Sequence, residues 1–451
     1  MKKLYLSCFV LCFCASIFAQ NDFQVTYNSK TIYYRITSAE MSTVAVTFRG
    51  ATPTTYREYT TYILIPPTVT YGGVTYLVTS IDANTFYDCT GLDSVSIPNT
   101  VTYIDSLAFG GCTILKKCII PPNVNFIGEK AFSGCTMLPS IDLPSNITKI
   151  SNGTFMNCSS LTSINIPDMV NIIGERAFLN CISLTSINLP RAVSKIGTSS
   201  FFGCINFNYI NVDENNPYLM SDSGILYSHA MDTLLLYPPK KAGLEFTTPN
   251  SVKSIGDYSL MYITFLKKVN FNNSLERIGT CAFYNATGLA VVHIGDSINY
   301  IGEGAFYNCR NLDTIMIKAE EPPCFQSATF YGVPPAVTVA VPCSLVDKYK
   351  NSSDWGESFA NIQGYDCQVG VNPPDGCSQP ENIFPNPVED NLYINLDTPI
   401  ERVEVYSLGG NLVILENHFH NKIDMKNLQQ GIYLVKIFTN KSVIIKKILK
   451  N

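Results

Sequence analysis

A 23-residue period governs most of this chain. Counted from Val78, equivalent apolar residues recur at Val101, Val124, Ile147, Val170 and Val193, and again at Val252, Leu275 and Ile298, which gives nine copies. Three residues into each copy stands an Ile: Ile81, Ile104, Ile127, Ile150, Ile173, Ile196, Ile255, Ile278 and Ile301. Five later comes a Phe (Phe86, Phe109, Phe132, Phe155, Phe178, Phe201, Phe283, Phe306), with Leu260 the one departure. Three after that, seven copies carry a Cys (Cys89, Cys112, Cys135, Cys158, Cys181, Cys204, Cys309), while Ile263 and Ala286 fill the other two. A Leu-x-x-Ile-x-Ile-Pro segment follows, as in Leu161, Ile164, Ile166 and Pro167. A unit this short cannot bury its own apolar side chains, whereas stacked copies bury one another's in a continuous core. Apolar residues two apart predict a strand with one face inward, and the Pro, lacking an N–H, ends it. The Gly-x-x-Ala-Phe-x-x-Cys piece, as in 174–181, predicts a turn or a short helical segment on the opposite, convex side. Nine coils at a strand spacing of about 4.8 Å make a stack roughly 40 Å long.

The unit Val-x-x-Ile-Gly-x-x-Ala-Phe-x-x-Cys-x-x-Leu-x-x-Ile-x-Ile-Pro, seen best in 170–190, resembles the BspA-type leucine-rich repeat. The resemblance covers about residues 24–365. It implies a β-rich leucine-rich-repeat solenoid with short helical turns on the convex side. It also implies a surface protein that binds host or matrix proteins or other cells. Between Val193 and Val252 the spacing is 59, which leaves an insertion of 36 residues at about 214–249. Its Asn216-Pro217-Tyr218, Gly224-Ile225-Leu226-Tyr227 and Leu235-Leu236-Tyr237-Pro238 look like the hairpin insertion that this family carries.

The flanks divide by composition. Residues 1–19 read as a secretory signal peptide: Lys2 and Lys3, then an apolar run from Leu4 to Phe18 that is too short to span a bilayer, closing on Ala19. No later stretch is apolar and long enough to span one. An open solenoid needs covered ends. Residues 20–77 predict a strand-rich N-terminal cap, the nine repeats occupy 78–318, and 319–366 predict a variant repeat and C-terminal cap holding Trp355, the sole Trp. Residues 367–380, rich in Pro, Gly and Cys, read as a linker. Cys324 with Cys343 is the preferred disulfide, and Cys367 could close a small loop with Cys377.

Residues 381–451 balance 8 Lys plus Arg against 8 Asp plus Glu and alternate short strands with turns, predicting a small all-β sandwich. This segment resembles the type A C-terminal sorting domain of the type IX (Por) secretion pathway. The resemblance rests on Phe384 with Pro385-Asn386-Pro387, Val405-Tyr406, Gly409-Gly410, Asp424, Leu428, Gly431-Ile432-Tyr433 and the basic Lys446-Lys447. It implies export to the outside or the outer cell surface by the type IX machinery, with the domain acting as an address.

Chemistry is sparse. The formal charge of −5, about −7 without Lys2 and Lys3, offers no basic footprint for nucleic acid. There are four His (His229, His293, His418, His420), and no metalloprotease, nucleophile-elbow or phosphate-loop motif. His418-x-His420 lacks a third metal ligand. The Cys ladder has the wrong spacing for a metal and an odd number for disulfides, so the thiols read as small buried hydrophobes. No cofactor, metal or catalytic residue is assigned, and the chain reads as a non-enzyme.

Binding is expected on the concave strand face. Between buried strand positions, one outward column runs through Ser94, Lys117, Ser140, Ser163, Ser186, Tyr209, Lys268, Val291 and Thr314. The next runs through Ser96, Ile119, Asp142, Asn165, Asn188, Asn211, Asn270, His293 and Met316. Tyr209 and Lys268 are the preferred anchors, joined by Lys117, Asn165, Asn188, Asn211, Asn270 and His293. The competing scaffold role for the Asn residues is a hydrogen-bonded ladder along the sheet. The leading function is adhesion or binding of a host, matrix or other-cell protein or glycan. The alternatives are a hydrolase-associated protein and a surface-layer component.

Overall fold

The computed structural model describes residues 22–49, 59–326, 328–367, 382–396, 399–407, 410–417, 419, 421–440 and 443–451. The leader, residues 368–380 of the linker with Cys377, and Gly409, His418 and His420 lie outside the described residues. The chain forms two compact units, divided after Cys367.

In the first unit the repeat becomes two columns of short parallel strands. One column carries the repeated Ile: Val74–Ile81, Tyr103–Ile104 and Phe126–Ile127 pair in turn, then Lys149–Ile150, Ile172–Ile173 and Lys195–Ile196. The other carries the Leu-x-x-Ile-x-Ile segment, as in Ser186–Leu189 beside Tyr209–Val212, where Ile187 faces Ile210 in register. Partners 23 residues apart put like on like, so Ile81, Ile104, Ile150 and Ile173 are buried in one spine and Ile255, Ile278 and Ile301 in another. The second column loses its ladder in two copies. In the first of them Pro139 takes the place of Lys116, whose N–H bonds the carbonyl of Asp93 at 2.8 Å. Without that N–H the expected strand at 138–143 does not form, although Leu138 and Ile141 stay buried.

Of the two sequence alternatives for the Phe-Cys segment, the turn is what forms. Backbone N–H groups alternate between two directions. Those of Lys130, Phe132 and Gly134 reach the next coil's Asn152, Thr154 and Met156 carbonyls at 2.7–2.9 Å, while Ser133 and Cys135 bond back three residues. The alternation needs two left-handed residues per coil, here Lys130 and Gly134 (φ 54° and 77°). The glycine after the repeated Ile answers to crowding between coils: a Cβ on Gly174 would lie 2.7 Å from the Asn152 backbone nitrogen. Inside, the Phe rings stack from Phe86 to Phe201 with centroids 5.0–5.8 Å apart.

The insertion contains more than a hairpin. Leu219–Asp222 and Ile225–Ser228 pair antiparallel, and Thr233–Leu236 then pairs parallel with Ser254–Ile255. Glu245–Thr247 pairs parallel with Lys268–Asn270. Both strands stand 21 to 23 residues before their partners, so a degenerate coil lies inside the inserted residues. Two hydrophobic cores result: one holds Phe86 to Phe207 with Leu219 and Leu226, the other holds Ile225, Tyr227 and the side chains onward to Trp355. The hairpin feeds both.

At the ends, Asp22–Tyr27, Lys30–Ser38 and Thr43–Thr47 form a meander that joins Val74–Ile81. At the other end Trp355 is fully buried and donates its indole N–H to the Pro323 carbonyl at 2.9 Å. The expected Cys324–Cys343 bridge is not made. Cys343 is bonded to Cys367, with Cα atoms 5.2 Å apart, and Cys324 is an exposed free thiol. Cys343 and Cys367 follow adjacent parallel strands, Thr338–Pro342 and Ile362–Tyr365, so stacking presents them to each other. Cys367 is thereby unavailable to Cys377.

The second unit packs two antiparallel sheets. Asn382–Phe384, Asn391–Asn395 and Lys422–Asp424 form one; Leu412–Glu416, Ile400–Ser407, Gly431–Thr439 and Val443–Lys450 form the other. Leu392, Ile394 and Ile423 from the first share a core with Val403, Val405, Val435 and Ile437 from the second.

Candidate functional site

Strand pleating turns alternate side chains outward, and the two columns read from the sequence do face outward. Lys117, Asn165, Asn188, Tyr209 and Asn211 are exposed; Lys268, Asn270 and His293 are half-buried. The structure separates them into two groups. Lys117, Asn165, Asn188, Asn211 and Tyr209 lie before the stack break, and Lys268, Asn270 and His293 lie after it.

Tyr209 is 47% exposed and is held by the hairpin. Its ring lies over Gly224, where a Cβ would come within 2.5 Å of the ring, and Gly224 has a φ of +80°. The strand beneath is tied to the hairpin by Ile210 N–H on the Gly224 carbonyl at 3.1 Å. After the break, Lys268 pairs with Glu245 at 3.0 Å, and the Asn270 amide donates to Glu245 at 2.5 Å and to Thr247 at 3.1 Å. The Asn270 amide, then Lys268, holds the Glu245 carboxyl below its ordinary range. Partial burial, then the Lys268 ammonium, holds His293 below the ordinary imidazole value, with Glu245 opposing. This patch therefore presents a paired carboxylate, a neutral imidazole and amide groups suited to hydrogen bonding with a polar ligand. The ladder role belongs to Asn270; no side-chain hydrogen bond of Asn165, Asn188 or Asn211 is found among the described residues.

One surface feature escaped the sequence reading. Phe202, Tyr262, Tyr284, Tyr307 and Tyr331 form a chain of rings along the turn ridge, with centroids 5.0–6.0 Å apart. Tyr331, at its end, is 65% exposed. The signal is a Tyr recurring at nearly the repeat period at 262, 284, 307 and 331, beside the more regular inward Phe and Cys.

The ladder thiols face inward. Those of Cys112, Cys135, Cys158, Cys181, Cys204 and Cys309 each donate to the carbonyl of a Phe 26 residues earlier at 3.0–3.2 Å. Burial pushes Cys181 and Cys309 up to about 12. Buried and raised in this way, these thiols are poor nucleophiles at neutral pH.

In the second unit Asn386 ties its loop to the last strand, donating to the Lys447 carbonyl at 3.1 Å and accepting from Leu449 N–H at 2.7 Å. Pro385, Asn386, Pro387 and Lys447 are exposed; Lys446 is half-buried on the same strand. Gly431 opens a central strand, and Tyr433, nearly buried, donates to the Gln429 carbonyl at 2.8 Å. Gly410 lies in the turn after Ser407 with φ +83°.

No described helix is long and apolar enough to cross a membrane. Comparison with curated proteins gives no significant match. Among solved structures, the pneumococcal vaccine antigen PcpA is similar over 76% of this chain and 99% of its own, at 20% identity and a TM-score of 0.58. A leucine rich cell surface protein of Faecalibacterium prausnitzii is similar over the same shares at 24% identity and a TM-score of 0.54. At these identities the likeness is one of fold. The secretion system C-terminal sorting domain model matches residues 382–451, so the type IX machinery is a partner and the chain is secreted or carried to the cell surface. The BspA type leucine rich repeat model matches residues 79–216 and 243–352, more than half of the sequence, and the chain belongs to that family of surface proteins.

Proposed function

We propose that this chain is a non-enzymatic adhesion or binding scaffold that engages a host, matrix or other-cell protein or glycan through its outward strand face. Tyr209 and Lys268 are its main anchors. The observation that carries the reading is the geometry at the stack break. Tyr209, an exposed aromatic on that face, is fixed by the hairpin with nearly half its surface free, and the Glu245–Lys268–Asn270–His293 patch lies on the strands that resume beyond. Rigid exposed Tyr beside hydrogen-bonding groups is the composition of an interface anchor. Lys117, Asn165, Asn188 and Asn211 extend that face as polar surround. The similar Faecalibacterium prausnitzii structure is described as a cell surface protein, and PcpA as a vaccine antigen, which suits exposure to other molecules.

The test is capture of host-cell proteins and glycans by the mature chain, followed by Tyr209→Ala and Lys268→Ala in the same assay. Each variant is expected to weaken binding by about tenfold or more. Unchanged affinity in both discards the strand face, and self-association without a foreign ligand, seen by sedimentation, favours a surface-layer component instead.

A further inference from the structure

The turn ridge is interrupted where the coil carrying Phe201 meets the coil carrying Leu260. One coil earlier, the N–H groups of Arg176, Phe178 and Asn180 donate to Thr198, Ser200 and Phe202. Their equivalents Ser199, Phe201 and Gly203 meet no acceptor among the described residues. Across the gap, the carbonyls of Asp257 and Met261 stand where every regular coil accepts such bonds and receive none; that of Ser259 accepts from Tyr237 at 2.7 Å. The inserted chain crosses as Tyr237-Pro238-Pro239, and its two prolines have no N–H to give.

Between the two ridges lies a cavity of about 370 Å³, walled by Phe201, Leu219, Leu226, Leu235, Leu236 and Met261. The repeat supplies its own control. Ile127, Ile150, Ile173 and Ile255 are buried, whereas Ile196 is only partly so; Phe109, Phe132, Phe155 and Phe178 are 0% exposed, whereas Phe201 is 8%. Apolar surface and main-chain hydrogen-bonding groups that are paired or fully covered in other coils are less completely covered at this one, although the Phe202 and Tyr262 rings meet across the gap with centroids 5.6 Å apart.

An apolar small molecule fills the volume but leaves the donors and acceptors unpaired, which is costly for groups removed from water. A polypeptide folded like the turn of the other coils supplies both, with carbonyls for Ser199, Phe201 and Gly203, N–H groups for Asp257 and Met261, and a side chain for the cavity. We propose that this cleft is a peptide-binding slot. It takes a turn-forming segment of a partner protein with a bulky apolar side chain, which stands in for the missing turn. The slot uses the turn ridge rather than the strand face and stands apart from the reading above.

The probe is a synthetic peptide of residues 174–182 carrying Cys181→Ala, a turn of this same chain, titrated calorimetrically into the full chain. Saturable binding is expected. Phe178→Ala in the peptide should weaken it by about tenfold or more, and N-methylation of alternate amides should abolish it. Met261→Trp and Leu235→Trp, each filling the cavity, should also weaken it by about tenfold or more in proteins whose circular dichroism is unchanged. Absence of saturable binding to the unmodified chain overturns the proposal. So does binding indifferent to N-methylation, or binding that persists in both folded Trp variants.

Discussion

The stack before the insertion and the stack after it use the same coil but fill it differently. In the first, an unbroken run of Phe rings stands beside a run of buried Cys, each thiol from Cys112 to Cys204 bonded to a Phe carbonyl in the coil before. In the second, Leu260 interrupts the Phe column and Ile263 and Ala286 interrupt the Cys column, with only Cys309 keeping the bond. The second stack instead ends in an aromatic cluster of Phe325, Phe330, Tyr349, Phe359 and Trp355 and is closed by the Cys343–Cys367 bridge. The backbone pattern survives these changes because in-register strands and alternating turn bonds fix the coil. The interior residues have only to match in volume. A thiol adds one weak hydrogen bond to that, so its loss in two coils is tolerated.

The largest expected effect tests whether the two cores are separate. Phe155→Ala leaves a cavity in the first stack and should cost about 3–5 kcal/mol there. Trp355, buried in the second stack, reports on that stack alone. In a urea titration the circular dichroism midpoint should fall while the Trp355 fluorescence midpoint moves much less. Equal shifts would merge the two stacks into one cooperative body.

A smaller effect sharpens the role of the thiols. Cys158→Ala removes the bond to the Phe132 carbonyl and should cost about 1–2 kcal/mol. Ala286→Cys places a thiol where it can reach the Leu260 carbonyl and should gain up to about 1 kcal/mol. A neutral result at both positions in denaturant melts would reduce the ladder to volume alone.

Turn strain is shared by the stacks at the first left-handed site, where Leu107, Lys130 and Arg176 in the first stack and Tyr258 and Cys281 in the second adopt φ of 52–60°; at the second site Asp, Asn or Gly stands in every regular coil but one, where Tyr262 takes φ 56°. Cys281→Gly should stabilise by about 0.5–1 kcal/mol in a thermal melt.

The smallest effect is a pH dependence of the second stack. His293 and Glu245 both have folded pKa values below their ordinary ones. The unfolded chain therefore takes up protons first, and stability present at neutral pH is lost as pH falls, first through the imidazole range and then through the carboxylate range. An NMR titration of His293 should show the lowered value, and Lys268→Ala should raise it; no change would mean that Lys268 does not act on the imidazole.

Much of the fold was legible because the repeat writes each buried column several times over. The Ile and Phe columns and the outward columns need only the period and strand alternation. What stayed hidden lacked repetition. The coil inside the insertion lacks the repeated turn Phe and Cys and replaces the usual turn with Tyr237-Pro238-Pro239, so only its pairing with Ser254–Ile255 and Lys268–Asn270 exposes it. The separation of 24 between Cys343 and Cys367, about one coil, could have marked that bridge, but the cap resembled no repeat. The grip of Gly224 on Tyr209 and the pairing of Lys268 with Glu245 depend on how the hairpin docks, which no local pattern encodes.

The central claim is that each stack is one shared core, and the ladder thiols allow it to be tested coil by coil. In native buffer a thiol reagent should modify Cys281 and Cys324 and leave the ladder untouched. As denaturant rises, Cys89, Cys112, Cys135, Cys158, Cys181 and Cys204 should become reactive together, with Cys309 following the Trp355 transition at its own midpoint. Rapid native labelling of Cys158, or coils of the first stack opening one by one at separate midpoints, would contradict the account.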